Sequence, residues 1–511
     1  MKYLLGIDVG TSAAKVALFD TEGRLVGSST QEYGLSQPEN GWAEQDPAHW
    51  WDAVVVGIGD IVAAHPDESA AVTGIGVTGQ MHGLVMLDES GAVIREAILW
   101  CDGRTIEQCA QVTERVGAKR LIAITANPAL PGFTAGKILW VREIEPHNYA
   151  RCSHILLPKD YIRYRLTGVL AADATDASGT NLFDVTKRQW SAEVLDALDI
   201  DPSWMPRVYE SPEVVGTLSE DAAVATGLKA GIEVVAGAGD NAAAAVGLGV
   251  VSPGRAFTSI GTSGVIFAHS DTVAIDPGGR VHTFCAAAPG TWTIMSCTLA
   301  AGLSLRWWRD TFCQGEIDEA RARGIDPYEV ITDQIATVPV GADRLLYLPY
   351  LMGERSPLLD SNARGVFFGL TTTHSRAHLA RAVMEGITFS LRQCLDVLDE
   401  MGVKSETMLA CGGGARSALW RQMLADVFAL PVAVPLNDEG PAFGAALLAG
   451  VGARVYDSVE DACARTVKTS VPIAPDGKSG ALYTPYYELY TQLYPALAAQ
   501  FSLLATLDER S

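Results

Sequence analysis

The sequence predicts an α/β protein of two domains, and three observations lead there. At 511 residues the chain is long for a single hydrophobic core. Short apolar stretches that read as strands alternate with amphipathic stretches that read as helices. One local pattern also occurs twice, Gly6-Ile7-Asp8-Val9-Gly10-Thr11-Ser12 near the start and Ser259-Ile260-Gly261-Thr262-Ser263-Gly264 past the middle. Each lies between apolar runs, Tyr3 to Ile7 and Val16 to Phe19 in the first, Ala256 to Ile260 and Val265 to Ala268 in the second. Thr11 and Thr262 are 251 residues apart, the size of one large domain, so duplication of a hairpin-plus-helices unit accounts for both halves.

In the first domain, residues 1–248, the opening hairpin is followed by a third strand around Leu25. Asp46-Pro47 places a cap and a first-turn proline before a helix running from Trp50 to Ala64. Val72 to Thr78 reads as a buried strand that ends in the loop Gly79-Gln80-Met81-His82-Gly83, where an open α/β sheet gathers its ligands. Leu156 to Asp160 is a strand end entering a helix that runs through Leu166. Val234 to Gly237 is a strand ending at Gly239-Asp240-Asn241, before an alanine-rich helix.

The turn Ser252-Pro253-Gly254 marks the boundary, and the second domain, residues 249–511, repeats the hairpin. Thr298 to Phe312 and His378 to Leu398 read as helices. Met408 to Cys411 is a strand running into Gly412-Gly413-Gly414-Ala415-Arg416-Ser417 and a helix from Leu419 to Phe428. A helical tail closes the chain, with no usable motif beyond Asp457.

Net charge is -22, so no broad basic surface is available for nucleic acid or an anionic membrane. Nine cysteines, scattered and never in a Cys-x-x-Cys pair, argue against a disulfide framework or a zinc site. A reduced, cytoplasmic setting follows as the expectation. The start of the chain is too briefly apolar for a signal peptide, and no stretch approaches a membrane span.

The duplicated turn suits a phosphate chain. Glycines let backbone N–H groups approach an anion, and Thr11, Ser12, Gly261 and Thr262 add donors. Such a turn alone is more often a plain hairpin; here two of them, facing each other, would hold one triphosphate from both sides. Asp8 in the first corresponds to Ser259 in the second. A carboxylate is a hard ligand for Mg2+, so the metal belongs beside Asp8. Lys15 either reaches a phosphate as a point charge or is a solvated strand lysine. Asp240 either caps the next helix or projects from a strand end as a general base. Met81 and His82 can shape and hydrogen-bond a polar ligand, while Trp100 and Asp102 offer an aromatic face and an acceptor, a pairing that suits sugars. The Gly412–Gly414 run permits close approach to a nucleotide. Neither the dinucleotide fingerprint nor a Gly-Lys-Ser/Thr phosphate loop is present.

The ordered set Asp8 to Ser12, Gly79 to Gly83, Gly239-Asp240-Asn241, Gly261-Thr262-Ser263 and Gly412 to Ser417 resembles the FGGY carbohydrate kinases. Two longer stretches agree with that family, Gly132-Phe133-Thr134-Ala135-Gly136-Lys137-Ile138-Leu139-Trp140 and Gly365-Val366-Phe367-Phe368-Gly369-Leu370 continuing to Glu385. The likeness runs from Leu4 to about Gly450.

The resemblance implies two ribonuclease-H-like domains of the actin and hexokinase type closing on ATP and sugar in a cleft between them. It implies Mg2+ at Asp8 and phosphate contacts from Thr11, Ser12, Gly261 and Thr262. Gly413, Gly414 and Ser417 would line the nucleotide, and Asp240 would act as base. Met81, His82, Trp100, Asp240 and Asn241 would meet the sugar. Met81 and His82 stand where glycerol-phosphorylating relatives have an Arg-Glu pair, which points to D-xylulose converted to its 5-phosphate. A homodimer is expected from the family alone. Cys101 departs from the polar residue common there, so the preference among pentuloses stays open; Ala244 departs from a glycine common among relatives, where only a packing change is expected. Two alternatives stand beside this reading: a kinase for another ketose or polyol, and an ATP-driven binding protein of the actin or heat-shock chaperone type, which needs the turns but no sugar pocket.

Overall fold

The structure is a computed structural model that describes residues 2–437 and 439–507. The chain forms two compact units, each built on a sheet with helices. The first comprises residues 1–252, 269–293 and 437–468, and the second residues 253–268, 294–436 and 469–511. A single division at 248/249 therefore misses two returns of the chain into the first unit. Both are long-range, the later one bringing in the helix Gly440–Gly452.

In the first unit the strands lie in the order Val214–Thr217, Glu233–Val235, Val72–Gly79, Tyr3–Val9, Ala13–Asp20, Leu25–Glu32, with Ala238–Gly239 continuing beside the end of Val72–Gly79. Tyr3–Val9 pairs antiparallel with Ala13–Asp20 and parallel with Val72–Gly79. The helix expected from Trp50 starts at Pro47, because the Asp46 side chain accepts the Ala48 N–H at 2.9 Å. Its apolar face covers Val16, Leu18 and Ile75 in one continuous core. The strand expected over Val234 to Gly237 is split: Glu233–Val235 ends, and pairing resumes at Ala238. Gly237 at φ +75° makes the break, and a Cβ there would lie 1.9 Å from the Val77 carbonyl oxygen.

The helix Gly440–Gly452 packs on the other face of the same sheet at backbone distance. A Cβ on Gly6 would come 1.9 Å from the Ala442 carbonyl, one on Gly76 1.9 Å from that of Ala445, and one on Gly444 1.8 Å from that of Ala243. Neither backbone can yield without lifting the helix. Gly76→Ala is therefore expected to destabilise the protein by about 3 kcal/mol, the upper part of the overpacking range, read as a melting temperature lowered by several degrees. Gly59→Ala, whose Cβ would meet nothing within 4 Å, should melt at or above the parent, since alanine favours the helix by about 1 kcal/mol. Equal melting of the two variants would remove this account of the glycines.

The second unit repeats the plan. Gly254–Ile260 pairs antiparallel with Gly264–Ser270 and parallel with Ser405–Cys411, which in turn pairs with Val432–Ala433. Hairpin and parallel third strand thus recur in both units, as duplication requires. The helix expected from Thr298 begins only at Gly302, because Trp292–Thr298 is a strand. The long helix runs Arg376–Glu400, and the tail is one helix, Gly477–Ala505. No helix among the described residues is long and apolar enough to cross a membrane.

Candidate active site

Three segments of the first unit leave the C-terminal ends of adjacent parallel strands, the place where an open α/β sheet exposes side chains to a ligand. Asp8 stands near the end of its strand, opposite Lys15 on one side and Thr78 on the other. Val72–Gly79 continues into Gln80, Met81 and His82. Ala238–Gly239, in register with Thr78 and Gly79, continues into Asp240. Asp8 and Asp240 thus flank the end of one central strand.

Asp240 is the first residue of the helix Asp240–Gly247. Its Oδ1 accepts the Asn241 backbone N–H at 2.7 Å and the Asn241 side-chain amide at 3.0 Å. Asn241, expected to touch the sugar, is therefore engaged in holding Asp240. Burial, opposed by these two hydrogen bonds, pushes the Asp240 carboxyl up to about 6. Asp8 is pushed up to about 7 by burial and then by the charge of Asp240, with Lys15 opposing. A partly buried carboxylate raised in this way gains from a hard cation. Among the described residues no group of three or more His, Cys, Asp or Glu is placed to hold a metal. A hard carboxylate oxygen beside a turn suited to phosphate is the kind of donor Mg2+ accepts, an ion usually held by one or two carboxylates with phosphate oxygens and water.

The first turn is fixed from beneath through its carbonyls. Gly10 accepts from the Tyr33 hydroxyl at 2.5 Å, Thr11 from the Gln45 amide at 2.7 Å, and Ser12 from the Tyr33 N–H at 3.1 Å. The Thr11 hydroxyl, expected to meet a phosphate, accepts from Trp100 Nε1 at 2.9 Å and donates to Gln80 Oε1 at 3.3 Å. Ser12 is exposed. Trp100 itself is 48 % exposed, so its indole rests one edge on the turn and offers the rest of its surface outward. Lys15 does not stand alone: its Nζ lies 2.6 Å from the Glu439 carboxylate, which neutralises the cation expected to reach a phosphate. Asp102, read as a sugar acceptor, is buried and taken by the Ala43 N–H at 2.6 Å and the Arg104 guanidinium at 2.7 Å.

His82 adopts φ +67°, a strained conformation for a residue with a side chain and one that clusters at functional sites. Several contacts hold it there. Its Nδ1 donates to the Gly179 carbonyl at 2.6 Å, and its ring meets Phe133 edge-on at 4.6 Å. Its own carbonyl accepts from Thr134 Oγ1 at 3.0 Å and Lys137 Nζ at 2.8 Å. Burial, opposed first by Asp102, pushes the Lys137 amine down to about 7. Met81 is buried and lies against Gly239, where a Cβ would come 2.8 Å from Met81 Cγ.

In the second unit the turn is also held through its carbonyls, here by the start of the helix Gly302–Phe312. The Gly302 N–H donates to Gly261 at 2.8 Å and the Leu303 N–H to Thr262 at 3.1 Å. Ser259 is in register with Cys411, so this turn and the Gly412–Gly414 run emerge from neighbouring strands. Gly413 faces open space, whereas Gly414 packs against Ile260, 2.6 Å from its would-be Cβ. Ser417 caps the helix Ala418–Phe428 by accepting the Trp420 N–H at 3.2 Å, which is the ordinary use of a serine at that position.

Sequence reasoning missed Gln80, Lys137 and Thr175, all of which contact site segments. A lysine inside the apolar run Gly132 to Trp140 was the available signal for Lys137. Polar residues spaced among small ones, Asp173-Ala174-Thr175-Asp176-Ala177, were the signal for Thr175.

Residues 3–247 match the family model described as the N-terminal domain of the FGGY family of carbohydrate kinases, and residues 256–453 match the corresponding C-terminal domain. The xylulose kinase of Bacillus subtilis (strain 168) is 39% identical over 494 residues, covering 97% of this chain and 97% of its own. That of Escherichia coli (strain K12) is 40% identical over 494 residues, covering 96% of this chain and 99% of its own. The solved structure of a xylulose kinase from Rhodospirillum rubrum, 31% identical, matches with a TM-score of 0.92 across 98% of this chain and 100% of that one.

Proposed function

Because this chain belongs to the FGGY family of carbohydrate kinases, we propose that it phosphorylates a primary hydroxyl of D-xylulose, giving D-xylulose 5-phosphate, with Asp240 as general base. It is an ATP-dependent sugar kinase of the two-domain actin and hexokinase type and uses ATP with Mg2+. The near-full-length identity to enzymes named xylulose kinase carries the choice of sugar. The nine cysteines, none in a disulfide, support a cytoplasmic setting.

The acceptor hydroxyl gives its proton to Asp240 Oδ2 while its oxygen attacks the γ-phosphorus. The new O–P bond forms as the bond to the β-phosphate oxygen breaks, and ADP leaves. Oδ1 already accepts two hydrogen bonds from Asn241, so Oδ2 is the oxygen assigned to the substrate. A carboxyl near 6 is ionised at neutral pH yet binds a proton more strongly than an ordinary aspartate, which suits a base. Asp8 would hold Mg2+ together with the phosphates, and the ion would neutralise phosphate charge. His82, fixed by Gly179 and Lys137, and the exposed face of Trp100 are assigned to the sugar. Ser12, Gly261 and Thr262 are assigned to the phosphates, and Gly413 to the adenosine.

Turnover with ATP across D-xylulose, D-ribulose, a ketohexose, glycerol and gluconate tests the substrate. D-xylulose is expected to show the largest kcat/KM by at least about tenfold, on the scale at which one misplaced hydroxyl is rejected. A higher kcat/KM for any other acceptor overturns the assignment.

A further inference from the structure

One short buried segment of the first unit touches both site loops. The strand Ala171–Asp173 runs into a single helical turn, Ala174–Ala177, and then Ser178, Gly179 and Thr180, all buried. At its far end the Gly179 carbonyl accepts the proton of His82 Nδ1 at 2.6 Å. At its near end Thr175 Oγ1 accepts the backbone N–H of Gly239 at 3.0 Å. Gly239 immediately precedes Asp240 and caps its helix.

The Thr175 hydroxyl is itself aimed. It donates to Asp173 Oδ2 at 2.5 Å, and the same oxygen accepts the Thr175 N–H at 2.8 Å and the Ser211 hydroxyl at 3.3 Å. The proton therefore points at Asp173, which leaves the oxygen lone pairs to Gly239. Asp173 is in turn anchored by Lys159 Nζ, 2.6 Å from its other oxygen. A rigid chain of bonds thus ends one residue before the carboxylate that takes the proton.

We infer that Thr175 is a positioning residue for phosphoryl transfer: its hydroxyl fixes the Gly239 amide and so sets where the Asp240 carboxylate stands. This rests on the reading of Asp240 as the base. Thr175 lies below Gly239 and is fully buried, so its effect falls on the reacting geometry and leaves substrate affinity unchanged. Displacing a reacting group by about 1 Å costs on the order of a hundredfold in rate.

The test compares Thr175→Val, Thr175→Ser and Asp240→Asn in the full chain, measuring kcat and the KM for sugar and for ATP. Thr175→Val should lose roughly ten- to a hundredfold in kcat, with both KM values within about threefold of the parent. Thr175→Ser, which keeps the oxygen, should recover turnover to within about threefold of the parent. Full activity in Thr175→Val, or a serine variant as slow as the valine one, overturns the inference. Asp240→Asn separates the two readings: if it is inactive while Thr175→Val is fully active, only the role of Thr175 falls; if it stays active, the base assignment falls with it. Should the valine variant fail to fold, hydrogen exchange at the Gly239 amide of the unaltered protein decides. Strong protection is expected, and exchange at the rate of an open loop overturns the inference.

Discussion

An Asp240→Asn enzyme is expected to keep KM values close to the parent and to turn over about a thousandfold more slowly, the middle of the range a general base supplies. Asparagine retains the shape and the contact with Asn241 but cannot accept the proton. The pH dependence gives a second reading of the same group. The ionised form is the base, and its carboxyl sits near 6, so kcat of the parent should rise as pH passes through about 6 and level off above it. That limb should be absent from the residual activity of the asparagine variant.

Stability should move the other way. The folded value of Asp240 lies above its unfolded value of 3.8, so the folded state binds this proton more tightly than the unfolded state. Its contribution to stability is present below about 4, is lost as pH rises toward about 6, and stays lost at neutral pH. A neutral amide escapes that loss. Asp240→Asn should therefore melt above the parent at pH 7, by an amount on the order of 2 kcal/mol, and the advantage should vanish at pH 4. Turnover within about tenfold of the parent would remove Asp240 from the mechanism. Lower turnover accompanied by a lower melting temperature would instead mark Asp240 as structural.

What the sequence revealed of this site was what is local. Hairpins, the Asp46-Pro47 cap and the loops after Val72–Gly79 and Ala238–Gly239 depend on neighbours within a few residues, and these placed Asp8, His82 and Asp240 at strand ends. The ion pair of Lys15 was not legible because its partner, Glu439, lies across nearly the whole chain. The Thr11 hydroxyl was read as a phosphate donor because neither Trp100 nor Gln80 is near it in sequence. Asp102 looked available for the same reason, since Ala43 is one of the groups that engage it. Ser417 is the different case: a serine directly before a helix is legible as an N-cap. The return of the Gly440–Gly452 helix to the first sheet was not legible either, a pairing that an apolar run cannot announce.

The support beneath Asp240 is charged, and charge in a core is conditional. Lys159 is fully buried, with Nζ 2.5 Å from Asp160, 2.6 Å from Asp173 and 3.5 Å from Asp176, while Arg163 lies 3.0 Å from Asp160. Burial alone would lower the Lys159 amine, but the three carboxylates outweigh it and hold it above its ordinary value. Asp176 is raised well above the carboxylate range by burial, against the opposing charge of Lys159. Three carboxylates, Asp160, Asp173 and Asp176, thus gather around the two cations Lys159 and Arg163, with burial drawing Asp176 toward its neutral form.

Lys159→Met removes one cation from that balance and leaves an uncompensated negative charge where water cannot reach. The expected loss is about 3–5 kcal/mol, read by chemical denaturation at pH 7. The buried charge left in the variant favours proton uptake by the folded state, so its deficit should shrink as pH falls and grow as pH rises. Adding Asp160→Asn to Lys159→Met restores the balance of charge and should recover part of the loss, making the double variant more stable than the single one. If Lys159→Met melts with the parent at pH 7, or if the second change only adds to the damage, then packing holds this segment in place and the ionic cluster does not.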